Sequence, residues 1–372
     1  MADLFDVVVS GHLCLDLIPG MGHVSLKEMS TPGRLVETEP IHVSTGGAVS
    51  NTGLALHRLG VNVRLLATVG GDLIGQLILN YLSNRDSQLA EFVTPLAGEA
   101  SSSTVVLSPE QADRTFLHCT GTNRTFGSDN VDFDLVARTR IFHLGYPPLL
   151  PRLVENQGEQ LSAIFRQAKT VGAVTSLDTA MPDPNAAVGR ADWQAILGAT
   201  LPYVDVFIPS LEEILFMLRR TDFDRWSPDA ADHVDRAYLS ALADELLAHG
   251  PAIVGFKLGE MGMYVKTAPA NRFEALTRLR LDAAAWGAVE LWSPAFQVDV
   301  VGTTGAGDSA YAGFLTALIH GLPPQDALRW ACAVGACNVE AADSNSGVRS
   351  WEATGRRMET GWLSSPVTLP GF

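Results

Sequence analysis

A doubly wound α/β fold, with a mostly parallel sheet flanked by helices, is predicted by three observations. Short apolar runs alternate with stretches of helical periodicity, and a glycine turn joins an apolar run to a helix at 302–314. In addition, 47% hydrophobic content with only 18% charged residues supplies a substantial core. Strands are expected at Val7 to Ser10, Val63 to Val69, Ile141 to Leu144, Ala173 to Asp178, Val204 to Pro209, Ala252 to Leu258 and Phe296 to Val301. Helices are expected at Gly47 to Leu59, Leu73 to Ser83, Leu150 to Thr170, Leu211 to Leu218, Ala230 to His249, Ala306 to His320 and Pro324 to Ala342, where they supply the crossovers that parallel strands require. Two segments break the alternation: Leu13 to Val43, and Ser101 to Thr125, in which Thr104–Leu107 and Thr115–His118 flank a polar turn. Both read as hairpin or meander pieces.

No internal repeat and no obvious interdomain linker divides the 372 residues, so a single domain over 1–372 is expected. The formal net charge of −15, with no Lys/Arg-rich tract, argues against nucleic acid and anionic membranes as partners. The opening Met-Ala-Asp-Leu-Phe-Asp lacks a basic n-region and a long apolar core, which places the chain in the cytoplasm as an expectation. Its four cysteines show no C-x-x-C spacing and its nine histidines no H-E-x-x-H, so zinc and redox motifs are not indicated. The stretch Thr267 to Trp286 suggests no function, and Ser364 to Phe372 reads as a tail.

The segment Gly302 to Phe314, Gly-Thr-Thr-Gly-Ala-Gly-Asp-Ser-Ala-Tyr-Ala-Gly-Phe, carries most of the chemical information. With Val298 to Val301 read as a buried strand before it, it forms a strand, glycine turn and helix. Backbone N–H groups at a helix start lack intrahelical partners and the macrodipole adds positive charge, so Gly305, Ala306 and Gly307 can cradle phosphate oxygens. Asp308 in the same turn would repel a resting phosphate, yet it can accept a proton from a hydroxyl attacking one. A Walker loop is disfavoured because Asp308 replaces its lysine. Gly305, Gly307 and Ala310 match a relaxed dinucleotide pattern, but its acidic partner would fall near Asp326, in a helix start. A tight turn with Asp308 as an N-cap is the structural alternative.

The segment resembles the second signature of the ribokinase-like (PfkB) carbohydrate kinase family. The run Ser44-Thr45-Gly46-Gly47-Ala48-Val49-Ser50-Asn51-Thr52-Gly53, continued by Leu65 to Gly75, is similar to the first. The resemblance extends from about Val7 to Trp351 and implies a ribokinase-like fold. It also implies a small β lid over the sugar from segments near 13–43 and 101–125, often shared with a second subunit, so a homodimer is expected. The implied activity is ATP-dependent phosphorylation of a hydroxyl on a sugar or sugar-like substrate, with magnesium. Asp308 would be the general base, and Gly305, Ala306 and Gly307 with it would form the anion hole.

By the same resemblance Asp16, Gly46, Gly47, Asn51 and Asn123 would contact the sugar, since a carboxylate and an amide suit a polyol. In His143-Leu144-Gly145-Tyr146-Pro147 the position of an acidic ribose contact is Gly145, which counts against ribose. Lys257, Gly259, Gly262, Thr303 and Asn345 are assigned to the nucleotide. Phe207 to Glu213 resembles P-N-x-x-E with Ser210 in place of asparagine, and Glu213 would help order magnesium. Gly302 stands where the family has an aspartate, which counts against a monovalent cation. A dinucleotide-binding oxidoreductase and a catalytically inactive sugar-responsive module remain alternatives.

Overall fold

The computed structural model describes residues 5–110 and 115–372. The first four residues of the chain, and 111–114 of the polar turn expected after Leu107, lie outside the described residues.

The strands in chain order are β1 (Phe5–Gly11), β2 (Cys14–Gly20), β3 (Glu39–Gly46), β4 (Val63–Gly70), β5 (Phe92–Leu96), β6 (Ser103–Leu107) and β7 (Thr115–Cys119). They continue as β8 (Thr139–Gly145), β9 (Val174–Asp178), β10 (Val206–Phe207), β11 (Ile253–Lys257), β12 (Met263–Thr267) and β13 (Glu290–Ser293). Nine form one sheet in the order β13-β12-β11-β10-β9-β8-β1-β4-β5. From β11 through β5 every neighbouring pair is parallel, whereas β12 and β13 add as an antiparallel edge. The alternating side chains of β1 explain the layering: Val7 and Val9 enter the core on one face, Val8 the core on the other. Both faces are covered, which is why these strands read as continuous apolar runs.

The two segments that interrupt the α/β rhythm make a separate four-stranded sheet, β3-β2-β6-β7, in which β2 and β6 pair parallel and the outer pairs antiparallel.

One expected strand is absent. Phe296 to Val301 forms only an isolated bridge from Phe296 to Ser364, and Val300 and Val301 are 62% and 64% exposed. β-branched composition suggested a buried strand there, but the sheet ends instead at β13, which covers β12. The glycine turn at 302–305 is therefore entered from an irregular surface strip. Two expected helices are also shorter. The stretch expected from Ala230 to His249 divides into a 3₁₀ turn at Ala230–His233 and a helix at Arg236–Leu247 started by the Asp235 side chain, and Pro324 to Ala342 ends at Asn338.

The parallel register aligns the carboxyl ends of three neighbouring strands, with Gly11 opposite Gly145 and Gly145 opposite Asp178. That edge of an open α/β sheet is where loops can converge on a ligand.

Candidate active site

The helix Ala306–Ile319 starts at Gly305, whose φ of 73° lies in the left-handed region; a Cβ there would meet the Ser344 carbonyl oxygen at 2.3 Å. One turn in, Asp308 is 4% exposed. It is not an N-cap. Its Oδ2 accepts from Asn51 Nδ2 at 3.1 Å and from the Tyr146 hydroxyl at 2.6 Å, and its Oδ1 accepts from Thr52 Oγ1 at 3.3 Å. Asn51 and Thr52 belong to the helix Ala48–Arg58, which starts at Gly47 with φ 88°. The two glycine-rich signatures, some 250 residues apart in the chain, thus meet at one carboxylate.

Burial lifts Asp308 above the ordinary carboxylate range, while Lys257 and the three donors hold it back. Tyr146 is driven well above the usual phenol value by burial and then by Asp308, so it remains a hydroxyl that donates. Its own backbone is left-handed (φ 65°, ψ 45°), an unusual state for a tyrosine, and its N–H donates to the Asp178 carbonyl at 3.2 Å.

Lys257 ends β11, and its Nζ lies 2.7 Å from Asp178 Oδ1 at the end of β9. The pair is nearly sealed, with the lysine side chain 11% and the aspartate 0% exposed. A Cβ on Gly307 would lie 3.5 Å from Nζ, so the ammonium sits against the first turn of the Asp308 helix. Burial pushes Asp178 up and Lys257 pulls it back, whereas Glu213 and Asp308 raise it further. For Lys257 the burial penalty is outweighed by Asp178, Glu213 and Asp308, which leave it above its ordinary value and charged.

Beside Lys257 opens a cavity of about 860 Å³, within the usual size of a small-molecule site. Gly259, Gly262, Thr303 and Gly307 line it together with the small residues Gly335 and Ala336. Asn345, also expected near the nucleotide, is outside this lining; it is buried, with its N–H donating to Asp343 at 3.0 Å. Ala306 lines the cavity, but its N–H is held at 3.2 Å by the Thr303 carbonyl in the turn.

Glu213 stands in the first turn of the helix Leu211–Leu218 and closes a capping box with Ser210. Its Oε2 also accepts from Thr179 Oγ1 at 2.7 Å. Ser210 therefore performs the cap at the position where asparagine was expected. Among the described residues no group of three or more His, Cys, Asp or Glu could hold a metal ion unaided. Magnesium commonly uses one or two carboxylates with phosphates and water. Asp178, whose Oδ2 is buried without a partner, and Glu213 fit that need. Gly302 has a packing reason: a Cβ there would be 3.0 Å from the carbonyl oxygens of both Ala341 and Ala342.

Asp16 lies on β2 opposite Ser44 of β3, and Gly46, opposite Cys14, ends β3 in the first glycine signature. A Cβ on Gly46 would come within 2.3 Å of Asp16 Oδ2, so glycine is what admits the carboxylate. Burial raises Asp16, and bonds from Cys14 and Thr104 lower it. Asn123 is 1% exposed and donates to the Leu13 carbonyl at 3.0 Å, which ties down the residue just before β2, the strand that carries Asp16.

Sequence reasoning missed Tyr146, Asp178, Thr52, Thr179 and His12. Asp178 and Tyr146 had a usable signal, since both stand at or just beyond the carboxyl ends of strands that were expected. Among the described residues no helix is long and apolar enough to cross a membrane.

The chain is similar to known proteins over most of its length. An uncharacterized sugar kinase of Archaeoglobus fulgidus is 26% identical over 295 residues, covering 79% of this chain and 98% of that protein. The ribokinase of Schizosaccharomyces pombe is 24% identical over 355 residues, covering 93% and 96%. The structure of Arabidopsis thaliana ribokinase complexed with ribose and ATP superposes with a TM-score of 0.72 at 17% identity, covering 95% of this chain and 98% of that one. A putative ribokinase II from E. coli in complex with ATP and Mg²⁺ gives 0.67 at 19% identity, covering 96% and 100%. At such identities the structural likeness speaks for the fold, which is ribokinase-like. The family description "pfkB family carbohydrate kinase" matches residues 5–351, and the chain belongs to that family of carbohydrate kinases.

Proposed function

We propose that the protein transfers the γ-phosphoryl group of ATP to a hydroxyl of a sugar or sugar-like acceptor, with Asp308 as the general base. One observation carries this reading: Asp308, which accepts from Asn51 and Tyr146, sits one turn into the helix whose Gly307 packs against Lys257 at the cavity. A buried carboxylate with a raised proton affinity is suited to take the acceptor's proton as its oxygen bonds to phosphorus. The bond from phosphorus to the β,γ-bridging oxygen breaks, and ADP leaves.

Lys257 faces the phosphates, and the amides of Gly305, Gly307 and Asp308 at the start of the helix Ala306–Ile319 stabilise the charge that develops on the moving group, the Ala306 N–H being held by Thr303. Asp16, Gly46, Gly47 and Asn51 hold the acceptor, with Asn123 fixing the start of the strand that carries Asp16. Gly259, Gly262 and Thr303 border the nucleotide, and Asn345 supports the loop beside it. Magnesium, bound with the nucleotide through Asp178 and Glu213, would neutralise phosphate charge. The four-stranded sheet acts as the lid, and its exposed Ile41 and Leu117, which the strand register puts on one face, offer apolar surface to a second copy, which makes a homodimer the expected assembly.

ATP consumption across a panel of sugars, sugar acids, phosphosugars and nucleosides tests the proposal. The expected result is ADP release that requires one acceptor class. Absence of ATP binding, with NADH binding in a fluorescence titration, would overturn it in favour of the oxidoreductase. Binding of ATP and a sugar without turnover would leave the inactive module.

A further inference from the structure

We propose that the acceptor is an uncharged polyhydroxy compound, read by the His12 imidazole together with the Asp16 carboxylate. This rests on the kinase reading above. His12 follows β1 directly and is 3% exposed. Its ring centroid lies 6.4 Å from that of Tyr146, the partner of the base, and 5.8 Å from that of His118 on β7. The imidazole therefore bridges the catalytic carboxylate and the second sheet. Gly47 makes room for it, because a Cβ there would approach His12 Nδ1 to 2.4 Å.

Neither ring nitrogen of His12 has a hydrogen-bond partner, and Asn51 Oδ1, whose amide nitrogen donates to Asp308, is equally unpartnered. Each buried polar atom left in this state carries a penalty unless something arrives to satisfy it. Burial lowers His12 to about 3, so at neutral pH the ring is one donor and one acceptor. Vicinal hydroxyls, each able to donate and accept, complete such a set.

The same surroundings reject an anion. No lysine or arginine is among the groups that shift Asp16 or His12, among the described residues. Lys257 is committed to Asp178 on the nucleotide side. A carboxylate or phosphate on the acceptor would face the Asp16 anion and a neutral imidazole, and like charges brought together without a cation are strongly disfavoured.

Wild-type protein is assayed for ADP release with neutral ketoses, aldoses and nucleosides, and with hexonic sugar acids and sugar monophosphates, while calorimetry measures binding of the same compounds. The best neutral acceptor is expected to exceed the best anionic one by about 10²-fold or more in kcat/KM. Preference for an anionic acceptor, in turnover or in binding, overturns the inference. Binding of neutral acceptors without any turnover refutes the kinase reading but supports this one; failure to bind any of them refutes both. His12→Leu is expected to raise the acceptor KM about tenfold while leaving the ATP KM unchanged. An unchanged acceptor KM in a folded His12→Leu protein removes the imidazole from the proposal, and if that variant does not fold the wild-type panel decides.

Discussion

Replacing Asp308 with asparagine separates proton transfer from folding. The side-chain oxygen of an asparagine can take the place of Oδ2 and keep the bonds from Asn51 and Tyr146, while its amide nitrogen donates to the Thr52 hydroxyl in place of the weaker 3.3 Å contact. All three neighbours stay satisfied, and removal of a buried charge offsets the weaker acceptor. The expected stability change is therefore within about 1 kcal/mol. The base is lost, and a positioned acid–base group is worth roughly 10²- to 10⁴-fold in rate. That factor corresponds to about 3–5 kcal/mol of transition-state stabilisation. Coupled ADP-release kinetics and a thermal melt on the same preparation measure both quantities. A folded variant that turns over within about threefold of the parent refutes the role of Asp308, because no other effect of the substitution compensates for a missing proton acceptor.

The remaining expectations concern the groups around it. Because burial places Asp308 above the ordinary carboxylate range, its base form is lost as pH falls through that raised value, so the acid limb of kcat/KM should lie above the usual carboxylate region. Tyr146→Phe removes a bond that favours the anion and should move that limb to still higher pH; a limb that stays in place or moves down contradicts the contact. Lys257→Met leaves Asp178 buried and unpaired and should cost about 3 kcal/mol in a denaturant titration, with much of this regained, but not activity, in the Lys257→Met/Asp178→Leu double variant. Gly305→Ala, at φ 73° with 2.3 Å to the Ser344 carbonyl, should destabilise by about 1–3 kcal/mol and raise the ATP KM; a melt unchanged from the parent would show that the turn relaxes.

Much of the architecture was legible in local pattern. The helix Leu73–Ser83 falls at the expected residues because its apolar spacing follows the helical period and Asp72 caps it. The parallel strands β1, β4, β8 and β9 were visible as apolar runs because both faces of each are covered. Val298 to Val301 misled for the same reason, since β-branched residues mark a strand only where a neighbouring edge is free to pair with them. The edge was taken by β13, whose short Glu290–Ser293 carries little pattern of its own.

At the site, Asp308 and Asn51 could be singled out because each sits in a long glycine-rich motif whose backbone demands are local. Their hydrogen bond across 257 residues could not. Tyr146 joins the same carboxylate only because β8 ends beside β1 and β9, and His12 becomes a candidate reader only once its ring is seen buried with both nitrogens unpartnered. The sequence by itself determined which segments fold as strands, helices and glycine turns, since periodicity and φ preference act over a few residues. Tertiary structure decided which side chains share one charge, because a buried carboxylate draws its donors, and its proton affinity, from whatever the packed sheet and helices bring within about 3 Å.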